Sequence, residues 1–108
     1  MRNLTVITIA LLAALTPVLA SSTDKIENPG YDFAKAHCSE CHRITPGELS
    51  RGHFNAPSFQ AIANDPAITR TSLTVFLRTP HSRMPDFILT NEQSTDVIDY
   101  ILSLKNPG

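Results

Sequence analysis

The stretch "AHCSECHRI", residues 36–44, carries both cysteines of the 108-residue chain, Cys38 and Cys41, two residues apart and followed at once by His42. A pair so spaced serves as a redox dithiol, as half of a metal site, as a plain disulfide or as the anchor of a cofactor. The surrounding sequence has to choose.

A thioredoxin-like dithiol sits in a βαβ frame, and this chain shows no strand pattern to build one. Zinc needs four ligands, whereas His37, His42, His53 and His81 are scattered and no second close pair exists. The C-x-x-C-H spacing is that of c-type haem attachment. Two thiols one helical turn apart can add to two vinyl groups along one porphyrin edge, and the next residue then projects an imidazole onto the iron.

The segments around the motif read as helices and loops. Pro29 and Gly30 precede "YDFAKAHCSECH", where apolar residues recur at helical spacing, and a proline suits the first turn because its missing N–H has no intrahelical partner. The first helix is expected over residues 31–41. From 43 to 65 the prolines, glycines and asparagines predict a long loop with one short turn at "SFQAIAND", residues 58–65. A structureless stretch of that length in a small domain wraps something or carries function.

"TRTSLTVFLRTP", residues 69–80, puts Leu73, Phe76 and Leu77 on one face, with Thr71 or Ser72 as expected caps and Pro80 as the stop. "HSRMPDF", residues 81–87, is extended, since the residue before a proline is pushed out of helical geometry. In the last twenty residues Thr90 and Gln93 form a capping box, and Val97, Ile98, Ile101 and Leu102 mark an amphipathic stripe. The fold class is all-α, with three to four helices and long loops.

The first residues have a different character. Arg2, the uncharged run "LTVITIALLAAL" over residues 4–15 and the small residues up to Ala20 read as a signal peptide, residues 1–20. The apolar run is shorter than the roughly 20 residues that span a bilayer, so no transmembrane span is expected in the mature chain. Residues 21–28 read as a loose polar arm and 29–108 as one domain. Cleavage after Ala20 leaves 88 residues. A chain that short buries only about 60–65% of its unfolded surface and needs a disulfide, metal or cofactor to be secure. A net charge near zero speaks against a nucleic-acid surface.

A haem-binding cysteine motif calls for a second axial side chain on the iron, and methionine there raises the reduction potential relative to histidine. Beyond Met1 the chain has a single methionine, Met84, in the proline-flanked segment between two helices. CSECH, the RMP segment and a helix at each end, in that order, resemble class I cytochrome c over residues 30–105.

That resemblance implies a cytochrome c fold around one haem c, joined through Cys38 and Cys41, with His42 and Met84 on the iron. It matches Gly30 and Phe33 to positions that cross the last helix, and Tyr100 to the aromatic packed on that glycine. Pro57 corresponds to the proline whose carbonyl accepts the N–H of the proximal histidine, a bond that orients the ring and increases its basicity. Pro80 and Ser82 correspond to a proline and a hydroxyl residue that contacts a haem propionate. The chain has no tryptophan, so the indole that often holds a propionate is absent. Arg51, His53 and Asn55 are candidate donors in the loop, each read as solvated.

His37 precedes Cys38 and points about 100° away from it on a helix, so it is read as solvated. His81, three residues before Met84, is read as a surface or propionate-edge residue. Lys35, Arg43 and Arg83 form a small basic ring that could steer an acidic partner.

The expected function is that of a periplasmic single-electron carrier. Its donor is expected to be a dehydrogenase or a cytochrome bc complex, and its acceptor an oxidase or peroxidase. The alternatives are a haem-based gas-binding protein and a dedicated electron-transfer subunit of one enzyme complex.

Overall fold

The computed structural model describes residues 27–47 and 56–106. The expected signal peptide, most of the arm, and Arg51, His53 and Asn55 lie outside the described residues. Within them the chain forms four helices, α1 (Pro29–His37), α2 (Phe59–Asn64), α3 (Arg70–Leu77) and α4 (Asn91–Ser103), and no strand.

Each helix begins where a side chain replaces a missing backbone acceptor. Asn28 accepts from the N–H of Tyr31 at 3.0 Å and Pro29 follows it, so α1 starts two residues earlier than expected. Ser58 does the same for Ala61 at 3.1 Å, which turns the expected short turn into α2. Thr69 and Ser72 form a reciprocal capping box, so Thr69, and neither Thr71 nor Ser72, caps α3. The expected box at α4 is present, with Thr90 and Gln93 exchanging bonds of 3.0 and 3.1 Å. Such caps stabilise a helix by about 1 kcal/mol each.

The first helix also ends earlier than the spacing suggests, at His37 rather than at residue 41. Its chain continues as tightened turns, with the N–H groups of Cys41 and His42 both reaching the carbonyl of Cys38, at 3.2 and 2.9 Å.

α4 is the common partner. Among the described residues α1, α2 and α3 each pack on it and not on one another. Its stripe of Val97, Ile98, Tyr100 and Ile101 is buried, together with Ala34 of α1, Phe59 and Ala63 of α2, Leu73 of α3 and Ile44. Burying a side chain such as Ile98 contributes about 1.5–3 kcal/mol.

The α1–α4 crossing is close because residue 30 has no side chain. A Cβ built on Gly30 would stand 2.0 Å from the carbonyl oxygen of Asp96 and 2.8 Å from the Cβ of Tyr100. Alanine is worth about 1 kcal/mol more than glycine inside a helix, but a backbone carbonyl cannot yield that distance. Gly30→Ala is therefore expected to destabilise the protein by about 3 kcal/mol, the upper range of overpacking, in denaturant unfolding followed by circular dichroism. A loss below about 1 kcal/mol would mean that the two helices can separate without consequence.

Candidate functional site

Because the first three helices meet α4 without meeting one another, their inner faces enclose a cleft of about 900 Å³. Ala61 and Ile62 of α2, Ile68 just before α3, Leu73 and Phe76 of α3 and Phe87 of the extended segment make its wall mostly apolar. Cys38, Cys41 and His42 occupy one side, and Pro57, Arg83 and Met84 line it as well.

The position of His42 follows from a relay of bonds. The hydroxyl of Tyr100 donates to the carbonyl of Ile44 at 2.7 Å, and the N–H of Phe59 donates to the carbonyl of Arg43 at 2.9 Å. These ties fix the chain just after the motif. Nδ1 of His42 then donates to the carbonyl of Pro57 at 2.6 Å. A carbonyl can only accept, so Nδ1 carries the proton and Nε2 is left with its lone pair. The His42 ring also leans on Phe59, with centroids 5.5 Å apart.

The two cysteines are half-buried and not bonded to each other. Burial, with Cys41 adding to it, pushes the Cys38 thiol up to about 11. The site thus disfavours a thiolate, and a thioether, which carries no charge, suits the same surroundings. Among the described residues no group of three or more His, Cys, Asp or Glu side chains could hold a metal ion. The pair therefore has no partners there for a four-ligand zinc site. Two thiols, one histidine with a free Nε2 and an apolar cleft fit an attached porphyrin.

The family described as Cytochrome c matches residues 28–105. This chain belongs to the cytochrome c family. It is 32% identical over 97 residues to cytochrome c-552 of Bradyrhizobium diazoefficiens, a match covering 90% of this chain and 92% of that protein. No solved structure matches it. The cofactor of this cytochrome c is a covalently bound haem c, with Cys38 and Cys41 as the attachment pair, and the protein is a haem electron carrier.

The remaining expected residues divide. Gly30 and Tyr100 meet as the resemblance implied. Ser82 is exposed and outside the cleft lining, where its neighbour Arg83 is found instead. His37 does reach the cleft rim, with its ring 4.6 Å from Phe33 and 5.9 Å from Phe87. Sequence reading missed the wall contributed by α2, although Ser58 followed by "FQAIAN" is a capped helical pattern.

Attachment has a direct chemical consequence. The mature protein is expected to retain its colour after acid–acetone extraction and to resist alkylation at both cysteines. Cys38→Ala combined with Cys41→Ala should release all haem on extraction. Haem that stays with the doubly substituted chain would contradict attachment at this motif.

Proposed function

We propose that this cytochrome c is a periplasmic one-electron carrier whose axial side chains are His42 and Met84. The observation that carries the reading is the placement of both residues on one cleft, with Nε2 of His42 the ring nitrogen left free by Pro57. When bound, the haem supplies the Fe(II)/Fe(III) couple. The protein's own residues decide how that couple behaves.

Pro57 holds the imidazole in one orientation and one tautomer, so His42 need not move or exchange a proton as the charge changes. Met84 offers a neutral, polarizable sulfur that suits both oxidation states. With His42 and Met84 both holding the iron, no coordination position would be left open, which would favour outer-sphere transfer over gas binding or peroxidase chemistry. The apolar wall makes the more highly charged oxidised form costlier, which pushes the potential up, and a methionine ligand acts in the same direction.

The secretory leader read in the sequence supports a periplasmic location. Among the described residues no helix is long and apolar enough to cross a membrane. A dehydrogenase or cytochrome bc complex as donor, and an oxidase or peroxidase as acceptor, follow from the family resemblance. Lys35 and Arg43 are exposed and Arg83 stands at the cleft, which supports docking of an acidic partner near the haem edge.

Two measurements test these statements. The oxidised protein should show the weak long-wavelength band of methionine sulfur on ferric haem, and Met84→Ala should abolish it and lower the potential. Rapid carbon monoxide binding by the unsubstituted ferrous protein would instead favour the gas-binding reading. For docking, Arg83→Gln should slow reduction by an acidic partner a few-fold at low ionic strength, with the difference vanishing at high salt. Equal rates at low salt would remove Arg83 from the docking surface.

A further inference from the structure

The segment that presents Met84 has little backbone to hold it. Between Thr79 and Thr90 the chain is neither helix nor strand. Among the described residues no backbone–backbone hydrogen bond involves residues 80–89. Most of its side chains are exposed, and Ile88 is fully so. Each residue fixed in one conformation gives up backbone entropy, so a ligand on such a segment depends on whatever ties the segment down.

One tie, before Met84, is His81; after it, Leu89 packs against the core. Pro80 stops the chain from continuing α3 and turns it back, which lays the His81 ring on the last turn of that helix. The ring stacks on Phe76 with centroids 3.7 Å apart and planes 18° from parallel. Its Nε2 donates to the carbonyl of Phe76 at 2.8 Å. That carbonyl lies in the last turn of the helix and also accepts the N–H of Thr79 at 3.1 Å, so the His81 N–H adds a second donor at a helix end where a histidine is favourable. Phe76 itself lines the cleft. The ring of His81 is therefore committed to α3 and is not among the residues facing the cleft. At the other end of the segment Phe87 meets His37 of α1 edge-on, at 5.9 Å. Met84 sits midway, three residues from each anchor.

We infer that His81 is a positioning residue for the methionine side of the haem site: its stack and hydrogen bond on Phe76 shorten the free tether that carries Met84. This rests on the reading of Met84 as axial ligand. Without the anchor the sulfur spends more time away from the iron, and an external ligand competes more easily. A hydrogen bond and an aromatic stack of ordinary strength together correspond to about a tenfold change in that competition.

The test uses the mature haem-loaded protein and imidazole as the competing probe, followed through loss of the sulfur-to-iron band of the ferric form. His81→Ala is expected to raise the apparent imidazole association constant about tenfold. His81→Phe, which keeps a ring against Phe76 but has no N–H to donate, should fall between the two and serves also if the alanine variant does not fold. Gln60→Ala is the control. It removes a side-chain bond to Asn106 of 2.9 Å that involves no residue of the methionine segment, and should lower the unfolding midpoint while leaving imidazole binding within twofold. A His81→Ala protein that loses stability but binds imidazole within twofold of the unsubstituted one would overturn the inference and leave Met84 ligation standing. Absence of the sulfur band from the unsubstituted protein would overturn both.

Discussion

The crossing of α1 over α4 at Gly30 is the contact from which the site is built. With no side chain at that position, α1 rests on the backbone at Asp96 and on Tyr100. Tyr100 in turn holds the carbonyl of Ile44, and the residues before Ile44 are the haem-binding motif. From there Arg43 pins the start of α2 through Phe59, and the carbonyl of Pro57, two residues earlier, accepts the Nδ1–H of His42. The orientation of one imidazole thus traces back to a helix crossing on the far side of the core.

The same arrangement explains why the fold needs its cofactor. Three short helices that, among the described residues, pack on α4 and not on one another leave their inner faces to be covered by something else, and the wall they present is mostly apolar. Nine buried hydrophobic residues form the core among the described residues, and an attached porphyrin extends that core across the cleft. Covalent attachment next to the C-terminus of α1 makes the cofactor part of the chain's own packing. Exposed Phe76 and Phe87 line that cleft and so belong to the cofactor's surroundings rather than to a separate surface patch.

Much of this was legible in the sequence where short-range rules apply. The motif, the methionine segment between prolines, the amphipathic stripe of α4 and its Thr90 cap all depend on neighbours within a few residues. The errors have local physical causes too. α1 ends early because its last turn tightens into the cysteine turn, and α3 starts early because Ser72 completes the capping box from inside the helix instead of standing before it. What composition and spacing could not give is the long-range part: Tyr100 on Ile44, separated by 56 residues, and the use of α2 as a wall. The Pro57 bond and the Gly30 contact were accessible only through resemblance to a family, since nothing in either residue announces a partner so far along the chain.

The account stands or falls on what caps the iron opposite His42. Proton magnetic resonance of the reduced, diamagnetic protein tests it most directly, because a methyl group held over the face of a porphyrin is strongly shielded by the ring current. The account predicts a three-proton singlet far upfield of the ordinary methyl envelope, assigned to Met84 by selective methionine methyl labelling. A Met84 methyl resonating at its usual position in the haem-loaded protein would contradict it.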